Sequence, residues 1–265
     1  MNKLVYSIGF ACVLLCSSCN DWLSVTPEGQ TEAEDLYETD RGCNSALGGI
    51  YYTLTNKSLY GKELSYGMMD ALAQYWNVDK DIKHNYYYDT QYDYTNSLVK
   101  GRMDAIWNQM YQAVTACNAF IHYINPDKVL NADLMIGEAY ALRAYCYFYL
   151  VNLYAENYAT ENMEKPGVPM PLSAIDVHQN TQNNVRVAVG KVWEQIEKDL
   201  DEATKDLEGK ESKSRYRFDY ISLQAFKARV YLFMNKYEEA IQAASYVIDA
   251  KALFDMNEIQ SYLDG

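Results

Sequence analysis

Histidine, cysteine and basic residues are all scarce in this 265-residue chain, and each shortage closes off a class of function. The three histidines, His84, His122 and His178, lie far apart and show no metal-ligand spacing. Six cysteines are present, but Cys12, Cys16 and Cys19 crowd the first residues. That leaves Cys43, Cys117 and Cys146, an odd number without a CxxC pair, which excludes a disulfide framework or zinc site and predicts buried free thiols. Lysine and arginine total 23 against 36 acids, a net charge of -13 that disfavours nucleic acid and anionic lipid surfaces as partners. Glycine-rich phosphate loops, GxSxG elbows and HExxH are absent, so no cofactor is expected. NVDKD at 77–81 resembles the start of a calcium loop, yet Ile82 replaces the glycine that the turn needs and Tyr88 the closing glutamate. No metal is expected there.

Long apolar runs are missing too. The one at the N-terminus, from Leu4 to Leu15, is too short to cross a bilayer as a helix. With Lys3 before it and Ser17-Ser18-Cys19 after it, the segment reads as a leader. Small residues directly before a cysteine look like a bacterial lipoprotein signal, with 1–18 removed and Cys19 lipidated, although Cys16 stands where an aliphatic residue is usual. Ordinary cleavage with Cys19 as a bystander is the other reading. Residues 19–30, with Pro27 and Gly29, read as an extended tether, and 31–265 as the folded domain.

What is abundant is helical periodicity and tyrosine. The pattern predicts helices over 40–54, 61–76, 102–124, 132–154, 187–207, 220–234 and 236–250. Two long connections are expected: 77–96, polar and tyrosine-rich, and 155–184, whose PGVPMP at 166–171 forbids helix. The class is all-α, with long irregular loops. In ARVYLFMNKYEEAIQAA, Ala228, Tyr231, Tyr237 and Ala240 fall where tetratricopeptide helix pairs place small and aromatic residues, while Lys227, Ala244 and Ala252 depart from that pattern. A stack of divergent helix pairs is expected.

The stretch GEAYALRAYCYFYLVNLY at 137–154 is apolar around nearly its whole circumference, which predicts burial on several sides. Glu138, Arg143 and Asn152 interrupt it and argue against a membrane span. Arg143 is expected to be a structural buried charge, paired with a carboxylate or carbonyl elsewhere.

Several pieces, in order, carry a resemblance: CNDWLSVTP at 19–27, IWNQMYQAVTACN with Trp107, Tyr111 and Asn118, GEAYALRAYCYFYLVNLY, PGVPMPL, and the Arg186-to-Ala203 run R-V-x-V-x-x-V-W-x-x-I-x-x-D-L-x-x-A. Together they resemble the N-terminal half of a SusD/RagB-type outer-membrane lipoprotein of Bacteroidetes. The resemblance implies a tetratricopeptide-like scaffold anchored by lipid on Cys19 to the outer membrane and facing outward. It implies capture of oligosaccharide, less often peptide, for transfer to a SusC-like TonB-dependent transporter, without catalysis. Proteins of that family are usually about twice as long. The resemblance therefore implies that the C-terminal half is absent or supplied by a partner.

The surface expected to meet ligand is the loop from Tyr75 to Asn96. Flat rings suit the C–H faces of sugars, and carboxylates or amides suit their hydroxyls. Trp76, Tyr86, Tyr87, Tyr88, Tyr92 and Tyr94 offer the rings, and Asn85, Asp89 and Asn96 the polar edge. Packing of some of these tyrosines against the scaffold is the alternative. Two other functions stay open: a peptide- or protein-binding helical adaptor, and a surface glycoside hydrolase using Asp89 and Asp93, which lie four apart. A truncated product without function is also compatible with the length.

Overall fold

The computed structural model describes residues 36–75, 78, 86–174, 185–210, 214 and 216–250. The expected leader, tether and Cys19 lie outside the described residues. Among the described residues, five long α-helices and three shorter or terminal ones, with a 3-10 turn at Thr160–Asn162, make up the regular structure: α1 Asp40–Leu54, α2 Met68–Leu72, α3 Tyr87–Thr90, α4 Ser97–Tyr123, α5 Ala132–Tyr154, α6 Val189–Leu207, α7 Tyr220–Phe233 and α8 Tyr237–Ala250. The fold is all-α; an isolated bridge between Pro166 and Ala188 is the sole β pairing among the described residues. Among the described residues no helix is long and apolar enough to cross a membrane.

Local chemistry explains most boundaries. Thr39 accepts a bond from the Gly42 N–H at 3.1 Å and starts α1. Asn96 accepts from Leu98 at 2.9 Å, so α4 begins at Ser97, a turn and more before the expected 102. Asp219 and Ser222 form a reciprocal capping box at the head of α7. The expected helix over 61–76 shrinks to α2. The chain from 55 to 67 folds back in successive turns, and a Cβ on Gly61 would sit 2.3 Å from the Thr55 carbonyl. Helical periodicity is present there, but the close backbone approach wins.

Helix α5 is the spine. It packs on α4 along one side and α6 along another, with α1 alongside. Gly137 makes the α5–α6 approach possible, since a Cβ there would lie 2.7 Å from the Asp206 Cβ. Its aromatic side joins a continuous set of rings: Tyr145 lies 5.1 Å from Phe226, and Phe148 lies 5.6 Å from Phe226 and 5.8 Å from Trp193. These contacts tie α5 to α6 and α7, mostly edge to face, the favoured geometry for aromatic pairs. Helices α7 and α8 turn back on each other through Met234–Lys236, and the small residues Ala240 and Ala243 of α8 are buried against α7.

Arg143 sits in the middle of this spine. Its Nε and Nη2 donate to the two carboxylate oxygens of Asp199 on α6 at 2.8 and 2.6 Å, and Nη1 donates to Asn118 Oδ1 on α4 at 2.9 Å. Gln195 donates to Asp199 as well, at 2.7 Å. The Asn118 amide then donates to the Pro171 carbonyl at 2.9 Å, joined there by Tyr147 at 2.7 Å. Tyr111 donates to the Pro169 carbonyl at 2.6 Å. Prolines have no N–H for a ladder; the Val187 N–H meets the Val168 carbonyl at 3.2 Å, and side chains meet those of Gly167, Pro169 and Pro171. Arg186 completes the docking, donating to the Gly167 and Tyr154 carbonyls at 2.6 and 2.9 Å with its guanidinium 5.4 Å from the Trp107 ring.

A second buried carboxylate, Glu138, holds the segment before α7. Arg217 donates to both its oxygens at 2.7 and 2.9 Å, and Tyr51 of α1 donates at 2.8 Å. Burial raises the Glu138 carboxyl above its ordinary pKa, although Arg217 and Tyr51 pull it back. Cys43, Cys117 and Cys146 are free and buried, and burial pushes the Cys146 thiol up to about 12. All three are inert.

Replacing Arg143 with Leu strands the Asp199 carboxylate. Urea unfolding is expected to show a loss of about 3–5 kcal/mol. Changing Arg143 and Asp199 together to Leu and Asn should recover most of that loss, and failure to recover it would show that the pair is not the cause.

Candidate ligand-binding surface

The tyrosine-rich loop is built outward from a buried ion pair. Asp89, fully buried at the first turn of α3, accepts from Arg102 of α4 on both carboxylate oxygens, Nε lying 3.1 Å from Oδ1 and Nη2 pairing with Oδ2. The Arg102 guanidinium also lies 5.1 Å from the centre of the Tyr86 ring. Tyr86 is itself buried, its hydroxyl donating to Glu63 at 3.0 Å, and Glu63 accepts the Met68 N–H at 3.2 Å. Lys62 adds its ammonium 5.1 Å from the same ring. Asp89 and Tyr86, expected to face ligand, are thus placed inside the scaffold: the Asp89 carboxylate is occupied by Arg102, and an unpaired carboxylate at that depth would be costly.

Asn96 is likewise engaged, as the cap of α4. Tyr87 and Tyr88 are half-buried and meet edge to face at 5.4 Å. Trp76 and Asn85 lie outside the described residues. The two expected rings that stand clear are Tyr92 and Tyr94, 51% and 55% exposed. Tyr92 has a left-handed backbone, φ +54°, and its hydroxyl donates to the Leu72 carbonyl at 2.8 Å. Gln74, also left-handed at φ +60°, donates to the Thr90 carbonyl at 2.9 Å. These two bonds hold the chain around 72–75 beside 90–92, and they bring in Tyr75, 79% exposed, which opens the expected loop without being among the rings named for it.

The proposed acid pair does not form. Asp89 is committed to Arg102, while Asp93 is half-buried and accepts from the Thr95 hydroxyl at 2.6 Å. That bond holds the Asp93 carboxyl below its ordinary pKa, the opposite of what a general acid needs. Among the described residues no group of three or more His, Cys, Asp or Glu is placed to hold a metal.

A cleft of about 500 Å³ lies between the end of α1, α5 and the segment before α7, walled by Tyr51, Tyr52, Tyr60, Tyr145, Tyr216 and Phe218. Sequence reading missed it because its walls come from three segments far apart in the chain. The Tyr51 hydroxyl there serves Glu138 and accepts the Phe218 N–H at 2.8 Å, so part of this wall is structural.

The family model for SusD-like proteins described as "starch-binding associating with outer membrane" matches residues 21–232. The chain belongs to this SusD-like family. It is 28% identical, over 88% of its length, to a SusD-like protein of Formosa agariphila, covering 42% of that relative. A SusD-like carbohydrate-binding protein of Bacteroides vulgatus has the same fold, with a TM-score of 0.67 and 18% identity over 83% of this chain and 47% of that one. A laminarin-binding SusD-like protein superposes with a TM-score of 0.61 at 18% identity, over 83% of this chain and 46% of its own. The chain spans about half the length of the curated relatives it matches. The sequence pieces that carry the resemblance meet in the buried network, which includes Tyr111, Asn118, Arg143, the proline segment, Arg186 and Asp199.

Replacing Arg102 with Met leaves Asp89 buried without its partner. Hydrogen exchange is expected to rise over 86–96 while α5 and α6 stay protected; unchanged exchange in the loop would show that the ion pair does not hold it.

Proposed function

We propose that the chain is the helical part of a non-catalytic glycan-capture lipoprotein, anchored to the outer membrane through Cys19 and facing outward. In this reading it hands oligosaccharides to a SusC-like TonB-dependent transporter. Membership in a family described as starch-binding and outer-membrane-associated supports the substrate class and the location. A structural neighbour that binds laminarin supports a glucan in particular.

The observation that carries the reading is the tyrosine lip. Tyr75, Tyr92 and Tyr94 are open to solvent on a loop whose base is fixed by the Arg102–Asp89 pair and the Tyr86–Glu63 bond. Rings held on an immobilised base present a stacking face at little entropic cost, which suits a sugar ring and contributes nothing to bond cleavage. Trp76, Asn85, Tyr87 and Tyr88 remain part of the proposed surface.

A specific feature favours a second reading as a partner-binding adaptor. Tyr237, Ile241 and Ile248 form an exposed apolar stripe along α8, where a further helix would fit.

Affinity electrophoresis in gels cast with starch or laminarin separates these readings. Retention is expected for the chain, falling at least about fivefold in apparent affinity when Tyr92 and Tyr94 are both changed to Ala. Absence of retention on every glycan in a broad panel would sink glycan capture for this chain and leave the adaptor.

A further inference from the structure

Away from the tyrosine loop, a cleft of about 460 Å³ opens between α6, α7 and α8. Three tyrosines line it: Tyr220 and Tyr246 meet edge to face at 5.0 Å, and Tyr231 stands beyond them on α7. Lys227, half-buried, lines the same cleft. Its Nζ donates to the Thr204 hydroxyl at 2.9 Å and lies 5.8 Å from the Tyr231 ring. No described carboxylate is paired with it, although an ammonium has three donors and a half-buried one is costly to leave partly unmet. Burial holds Lys227 below its ordinary pKa, consistent with missing acceptors. Glu239 and Asp249 on α8 supply acceptors across the cleft, and Gln224 and Gln242 supply amides.

We infer that this cleft is a second sugar subsite, separate from the loop, that takes an uncharged pyranose ring. The inference rests on the glycan reading above and deepens it. An uncharged sugar meets every requirement of the walls at once. Its C–H face covers a tyrosine ring, one hydroxyl oxygen accepts from Lys227, and others donate to Glu239 or Asp249. An acidic sugar or sulfate ester does not. It would answer Lys227, but Asp201, Glu208, Glu239 and Asp249 surround the site, and the whole chain carries -13. A peptide would satisfy the donors but has no need of the three tyrosine rings that line the cleft.

Covalent labelling of Lys227 in the full chain by an amine-reactive reagent, read by mass spectrometry, tests this directly. Neutral oligosaccharides from starch, laminarin, xylan and galactan are compared with uronic-acid oligosaccharides from pectin and alginate. At least one neutral oligosaccharide is expected to slow Lys227 labelling several-fold. The protection should vanish in Tyr246→Ala, a half-exposed position, with circular dichroism checking that the variant stays folded, and persist in the Tyr92→Ala/Tyr94→Ala variant. Protection by uronic-acid oligosaccharides alone, or protection that survives Tyr246→Ala, overturns the subsite. A chain retained on a glycan gel but unprotected at Lys227 overturns the subsite while glycan capture stands. A chain neither retained nor protected overturns both.

Discussion

The guanidinium of Arg143 is the point at which four segments of the chain meet. It lies on α5, pairs with Asp199 on α6, bonds Asn118 on α4, and through Asn118 reaches Pro171 in the long connection. A buried charge of this kind gives little net stability compared with an apolar group of the same shape. What it imposes is geometry. The fork of Arg143 accepts one arrangement of Asp199 and Asn118, and that arrangement fixes how α4 and α6 are rotated about α5. Helix α5 is apolar nearly all round, so packing alone would accept several rotations. The polar network selects one.

The same network explains a connection that looks irregular. Among the described residues PGVPMP pairs with backbone only around Gly167 and Val168, through Val187, and its other carbonyls would be stranded if it crossed the helices bare. Tyr111, Asn118, Tyr147 and Arg186 each give one of those carbonyls a donor, so the segment lies on the scaffold as part of the structure. This is why the helices and the proline segment were legible together in the sequence. The need to satisfy Arg143 was readable from the residue itself. Its partner was not, because Asp199 lies 56 positions away and is one of many acids on an amphipathic helix.

The loop was less legible, for a related reason. Composition shows which side chains can stack on a sugar or bond a hydroxyl, but the same tyrosine and aspartate can equally be spent on the scaffold. Asp89 and Asp93 are four apart in one polar segment, yet one is fully buried against Arg102 and the other only half-buried beside Thr95. Arg102 sits on the face of α4 that meets α3, and nothing in the local pattern announces that meeting. Two left-handed residues, Gln74 and Tyr92, then decide which rings turn outward. Such φ values at residues other than glycine leave almost no trace in composition. Helix boundaries at 61–76 failed on the same kind of long-range fact, a backbone approach at Gly61 that periodicity does not see.

Once the buried polar groups are assigned, the tyrosine excess divides into two populations. Tyr51, Tyr86, Tyr111 and Tyr147 put their hydroxyls on buried partners, and for them tyrosine is a hydrophobe that also meets a polar debt in the core. Tyr75, Tyr92 and Tyr94 on the loop, and Tyr246 on α8, keep their rings in reach of solvent. Phenylalanine would bury as well as the first set but leave carbonyls and carboxylates without donors. For the second set it would stack on a sugar face nearly as well, but would expose a wholly apolar edge to water when empty. Both pressures select tyrosine, so its count of 26 against 7 phenylalanines reflects scaffold and surface together, and the exposure of each ring, not its hydroxyl partner, tells them apart: Tyr92 bonds the Leu72 carbonyl and still stands open.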